Sequence, residues 1–118
     1  MAILTRMTKP EDLTRAFVDR VNAGDVDGLV ALYEADAIIA FPPGRTTRGH
    51  AAIRELYTAM LADKPHFEYE EPLTTLISGD LALTATPAQD AAGVRAQVAR
   101  RQSDGTWLRV LDRPDFTR

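Results

Sequence analysis

The sequence contains no cysteine. That excludes disulfides, a thiol nucleophile and any thiolate metal site, and it suits a reducing compartment, so a cytoplasmic location is expected. Histidine is nearly as scarce, with two copies, His50 and His66. Neither belongs to a His-x-x-x-His pair or sits beside two acids, so no metal is expected. Basic charge is also short: 14 Lys and Arg stand against 17 Asp and Glu, a formal net charge of −3. Binding along a phosphate backbone needs a basic face, so nucleic acid is not an expected partner. The densest basic group, Arg95, Arg100 and Arg101, reads as a solvated strand face or as an anion site. Apolar runs fall far short of the roughly 20 residues of a spanning helix. Met1 to Leu13 includes Arg6, Lys9, Glu11 and Asp12, so neither a membrane span nor a signal peptide is expected. Phosphate-cradling loops and dinucleotide fingerprints are missing. Ser78 and Ser103 lack a neighbouring histidine, so no serine nucleophile is indicated. No cofactor is expected.

What is present is an ordinary globular balance. The 118 residues are 45% hydrophobic and 26% charged, enough to bury one core and suited to one domain, residues 1–118. The first half is patterned as helices. Thr8-Lys9-Pro10-Glu11 reads as a capping box, and Leu13, Phe17 and Val21 share a face of the helix that follows. Asn22-Ala23-Gly24 ends it. Asp25 caps a second helix, whose stripe runs Val26, Leu29, Val30 and Tyr33. A short strand is expected from Ala37 to Phe41, stopped by Pro42-Pro43-Gly44. A third helix opens near Gly49 with Ile53, Leu56, Tyr57, Met60 and Leu61 on one stripe, and Lys64-Pro65 closes it.

After Pro65 the pattern turns to strands, expected at 66–77, 81–87, 94–102 and 106–113. Turns fall at Ser78-Gly79-Asp80, Asp90-Ala91-Ala92-Gly93 and Ser103-Asp104-Gly105. Short connections make this an antiparallel meander. Leu81 to Pro87 carries no charge and is expected centrally, with Pro87 at its end. The fold class that follows is α+β: three N-terminal helices packed on a curved, mainly antiparallel sheet. A sheet that curls around helices without closing leaves a conical hollow, a usual place for small ligands.

The run Phe17 to Tyr33, with its Asn22-Ala-Gly24-Asp25 centre, resembles the opening of the nuclear-transport-factor-2-like/SnoaL-like superfamily. Ala35-Asp36-Ala37, Pro42-Pro43-Gly44 and Gly49 to Tyr57 continue the likeness. Arg100 to Trp107, with Asp112-Arg113-Pro114, is similar to a subgroup of ketosteroid-isomerase homologues. The resemblance covers about residues 8–116 and implies the cone-shaped cystatin-like roll. It says little of activity, because this fold hosts isomerases, cyclases, hydrolases, dehydratases and binders. Residue by residue, the isomerase base falls on Phe41, its oxyanion-hole tyrosine on Phe17, and its protonated acid near Gln97. A phenyl ring neither takes a proton nor donates a hydrogen bond. Loss of the base alone removes about 10²–10⁴ in rate, so steroid isomerisation is not expected.

The resemblance leaves an apolar pocket lined by Phe17, Tyr33, Phe41, Tyr57 and Gln97, suited to a small apolar ligand. Tyr33 and Tyr57 match tyrosines that support the isomerase centre; packed core residues with wet tips are the alternative. Asp112 is the remaining candidate acid. Alternation from Thr106 through Leu108 and Val110 points it inward, where it could serve an isomerase, cyclase or hydrolase. Pairing with Arg109 or Arg113 at a strand end is the other reading. Trp107, Arg109 and Leu111 then fall on the outer sheet face, which with the superfamily's sheet-to-sheet pairing implies a homodimer. Reversing the alternation instead turns Trp107 inward and Asp112 out. A non-catalytic dimerisation or accessory module with a vestigial pocket is the rival to ligand binding, and a buried acid or base beside space for substrate separates the two.

Overall fold

The computed structural model describes residues 6–87 and 94–114. Helix α1 spans Pro10–Asn22 and buries Leu13, Ala16, Val18 and Val21, with Phe17 half-buried against the same core. Its cap lies one residue later than the capping box predicts. Lys9 is the N-cap, and its backbone N–H donates to the Asp12 carboxylate at 3.0 Å. Glu11 is drawn away to the hydroxyl of Thr75. Helix α2 is one turn and a half, Val26–Val30, with Asp25 accepting from the Gly28 N–H at 2.9 Å.

Tyr33 therefore leaves the helical stripe and opens strand β1, Tyr33–Ile39. Tertiary pairing decides this. Leu32 O accepts from Arg109 N–H at 2.8 Å, and Tyr33 stands in register with Arg109. A two-residue strand not expected from the sequence, β2 (Thr47–Arg48), leads into α3, Gly49–Leu61, which buries Ile53, Tyr57 and Leu61. The expected strand at 66–77 shrinks to β3, Leu76–Ser78. Residues 64–75 instead run as irregular chain beside α1. The Asn22 side chain holds both backbone groups of Phe67, at 2.9 and 2.8 Å, and Tyr69 donates to Asp19. Pro72 has no N–H for a ladder.

Strands β4 (Leu81–Pro87), β5 (Val94–Arg101) and β6 (Trp107–Arg113) complete a six-stranded sheet in the order β2-β1-β6-β5-β4-β3. Pro87 ends β4 as expected, but β6 and β5, not β4, hold the middle. The Asp90–Gly93 turn lies outside the described residues. The Ser103-Asp104-Gly105 hairpin forms, with Gly105 at φ +85°. All neighbours pair antiparallel except β1 and β6, which are parallel. The result is the expected α+β architecture.

Two register breaks shape the sheet. Between Tyr33 and Ile38, β1 advances further than β6. On β6, Val98 faces Leu111 while its neighbour Ala99 faces Arg109, so Val110 is an extra, bulged residue. Such a bulge resets the alternation of side chains. Trp107 and Arg109 point inward, and so does Asp112. The sequence offered one or the other; the bulge delivers both. Trp107 (4% exposed) and Arg109 (3%) are thereby removed from the outer face, and Leu111 (47%) stays on it.

Candidate functional site

Two inward rows cross the sheet side by side. One is Ala82, Ala99, Arg109 and Tyr33; the other is Thr84, Gln97, Asp112 and Ile39. All eight are buried. Each row brings polar groups from different strands into contact, and α3 adds Tyr57 from above. Asp112 is the centre. Its Oδ2 accepts from the Tyr33 hydroxyl at 2.7 Å, and its Oδ1 accepts from Gln97 Nε2 at 3.2 Å. Gln97 Oε1 in turn accepts from the Thr84 hydroxyl at 2.9 Å. The Tyr33 and Tyr57 oxygens lie 2.7 Å apart. Tyr33 has one proton and gives it to Asp112, so Tyr57 must be the donor in that second bond. Every donor direction thus runs toward the carboxylate.

Arg109 supplies the opposing charge. Its Nη1 lies 3.7 Å from Asp112 Oδ2, an ion pair outside direct hydrogen-bond reach. The guanidinium lies over the Phe17 ring at 5.3 Å and the Tyr33 ring at 6.0 Å from their centroids, placing π-faces against the cation. Arg109 Nε meets no partner, the one such buried side-chain nitrogen or oxygen among the described residues. Burial works most strongly against the charge of Arg109, but Asp112, Tyr33 and Tyr57 together outweigh it and hold the group above its ordinary value. Burial raises the pKa of Tyr33 and of Tyr57, and the Asp112 charge adds to it. Both phenols therefore stay protonated as donors.

Aromatic rings close the cluster. Phe17 meets Tyr57 edge-on with centroids 6.0 Å apart and meets Phe67 at 6.0 Å in a tilted stack. Leu56, Met60 and Phe41 are half-buried against the same core. Phe41 lies two residues past β1, and Ala40 between them donates its N–H to the Asp112 carbonyl at 2.8 Å. The structure so brings together Phe17, Tyr33, Tyr57, Gln97 and Asp112, and sets Phe41 next to the strand end that pairs with Asp112. Gln97 and Asp112 are direct cross-strand partners.

Sequence reasoning missed Arg109 as part of this cluster and placed it outside. A charged residue alternating with Trp107 on a strand was the only signal. Other candidates fall elsewhere. His50 donates from Nε2 to the Tyr33 carbonyl at 2.8 Å from the first turn of α3, and His66 lies beside Glu68 in solvent. Arg95, Arg100 and Arg101 face Glu70, Glu34 and Asp80 respectively. That pairing neutralises the basic patch. Among the described residues no three His, Asp or Glu side chains converge as a metal set. No described helix is long and apolar enough to cross a membrane.

The chain belongs to the SnoaL-like domain family, whose model matches residues 14–112. Among solved structures, it is similar to a protein from Thiobacillus denitrificans described as a calcium/calmodulin-dependent protein kinase type II association domain. The two share 20% identity and a TM-score of 0.73, over 94% of this chain and 98% of that one. A ketosteroid isomerase-like protein from Erwinia carotovora atroseptica matches at 21% and 0.66, over 91% and 92% of the two chains. An NTF2-like protein with a cystatin-like fold from Novosphingobium aromaticivorans matches at 24% and 0.65, over 86% and 75%. At these identities the likeness is one of fold.

Proposed function

We propose that this chain binds a small, mostly apolar molecule against the inner face of the sheet, beside Asp112. The observation that carries this reading is the chain of hydrogen bonds from Tyr57 through Tyr33 to a buried carboxylate. A purely structural core gains nothing from burying an acid, a cation and two phenols together when apolar residues pack as stably. A vestigial pocket would lose such groups first. The half-buried surfaces of Phe17, Leu56, Met60 and Phe67 supply the apolar walls.

Asp112 is the group through which such a site would do chemistry. Its two oxygens accept from Tyr33 and Gln97. A carboxylate in that setting serves as a proton acceptor in an isomerase-, cyclase- or hydrolase-type step. The steroid isomerase constellation itself is missing, with phenylalanine at Phe17 and Phe41. Purified protein is expected to leave the isomerisation of a 5-ene-3-ketosteroid at its background rate. Native mass spectrometry of gently purified protein tests the binding reading: a retained small molecule is expected, released by Asp112→Leu. Chain mass alone, with no ligand accepted from a panel of apolar compounds, would favour an accessory module.

The partner we propose is a second copy. Leu76, Leu83, Val98, Leu111 and Ile38 stand in one register row across five strands on the outer face. Leu76, Leu83 and Leu111 are exposed, as is Leu81 one pair further along. Apolar area of this extent on a central sheet calls for cover, and an isologous pairing of two such sheets supplies it. The Thiobacillus relative's designation as an association domain agrees with assembly.

A further inference from the structure

Arg109 Nε is the one buried side-chain polar atom among the described residues without a partner, and the residue is 3% exposed. Native interiors rarely leave a guanidinium N–H unmet, because the lost hydration is not regained. The hydroxyl donors of the cluster are committed. The Tyr33 proton goes to Asp112, the Tyr57 proton to Tyr33, and the Thr84 proton to Gln97. A ligand reaching this centre therefore finds its charged donor at Arg109, whose Nε is unmet and whose Nη1 lies beyond hydrogen-bond reach of Asp112. It must bring an acceptor.

The surroundings say what kind. Asp112 already balances the Arg109 charge at 3.7 Å. A ligand carboxylate on Nε would bring a second anion within a guanidinium's width of the first, where solvent cannot screen the repulsion. An uncharged oxygen has no such conflict. In the Arg109 row the next side chains are Ala99 and Ala82, which end at the β-carbon and lie buried in the core. The guanidinium is covered by Phe17, and Phe17 by Phe67. Phe67 belongs to the irregular chain 64–75, held there by the Asn22 side chain rather than by a strand ladder. Phe67, unlike Phe17 on α1, is held by no helix or strand ladder.

Resting on the ligand-binding reading above, we infer that the molecule bound here is an uncharged carbonyl compound, its oxygen accepting from Arg109 Nε and its apolar skeleton lying against Phe17 where Phe67 now packs. Ketones, lactones and amides fit; carboxylic acids do not. Selection comes from Arg109 and the neutralising Asp112 together.

The test uses matched probes: acetophenone, ethylbenzene and benzoate, and the same three substituents on naphthalene. Each is titrated into the full chain in sealed tubes by ligand-observed NMR. The ketone of each skeleton is expected to bind about tenfold or more tighter than the hydrocarbon, the worth of one hydrogen bond to a charged donor, and tighter than the carboxylate. Arg109→Lys keeps the charge beside Asp112 and removes Nε, and it is expected to erase the preference for the ketone. In the wild-type chain the Arg109 Nε–H resonance is expected to shift with the ketone and not with the hydrocarbon, which tests the contact even if the variant fails to fold. Tightest binding by the carboxylate overturns the inference in favour of an anion site. Equal binding of ketone and hydrocarbon, or an unmoved Nε–H resonance, overturns it while leaving the apolar site standing. Failure of every probe to bind removes both.

Discussion

At the scale of single residues, the centre of this protein is a pair of opposite charges three positions apart on one strand, Arg109 and Asp112. Removing one partner strands the other. Arg109→Met is expected to cost about 3–5 kcal/mol, and adding Asp112→Asn to it should return part of that loss; urea unfolding of the single and double variants measures both. Burial raises the pKa of Tyr33 and Tyr57, so the unfolded chain releases their protons at lower pH than the native one does. Below the unfolded value, about 10, the two states hold the same protons and stability is level in this respect. Above it the unfolded state is favoured. Stability should then fall by about 1.4 kcal/mol per pH unit for each of the two phenols. Tyr57→Phe should flatten that alkaline decline in denaturation curves taken from pH 9 upward, as one titrating group disappears. Several of these residues were legible beforehand. Phe17 and Tyr57 fall on helical stripes, and the two rings meet edge-on in the cluster. Arg109 was not legible as interior, because an arginine between apolar neighbours reads as solvent-facing when side chains are assumed to alternate.

At the scale of elements, local signals located the three helices and the Ser103–Gly105 hairpin and failed where distant pairing intervened. Leu13 and Val21, and Ile53, Tyr57 and Leu61, are buried as their spacing demands. Tyr33 completes an α2 stripe in the sequence, yet pairing with β6 takes it into β1. The stretch 66–77 alternates like a strand, yet Asn22 and Asp19 hold most of it to α1 by side-chain bonds. No local signal announces the bulge at Val110, which has neither glycine nor proline. One element contact gives a sharp expectation. Gly28 sits so close to its cap that an added β-carbon would collide with the Asp25 carboxylate and the Arg20 side chain. Gly28→Ala should lower stability by about 1–2 kcal/mol, the worth of a lost N-cap, despite alanine's better helix propensity. A urea midpoint equal to or above that of the wild type would rule out this reading of Gly28.

At the scale of the whole molecule, the sheet has apolar residues on both faces, which is why its inside and outside could not be told apart from the sequence. Alternation identifies two faces without saying which meets the helices; the six-strand register and the bulge decide it. The outer row now carries the assembly prediction. Leu83→Glu, in the exposed middle of that row, should convert a dimer to monomer on sedimentation without loss of fold. Trp107→Ala, by contrast, should lower thermal stability through a core cavity, by about 3–5 kcal/mol, and leave the assembly state of the folded fraction unchanged.

The two faces are interleaved along the same strands. Val98 lies between Gln97 and Ala99, and Leu111 lies between the bulged Val110 and Asp112. A neighbour pressing on Val98 and Leu111 from outside would bear directly on the backbone that aims Gln97 and Asp112 inward. Union of two copies would then be felt at the hidden carboxylate through the thickness of a single sheet, and occupation of the interior would be felt in return at the seam between them.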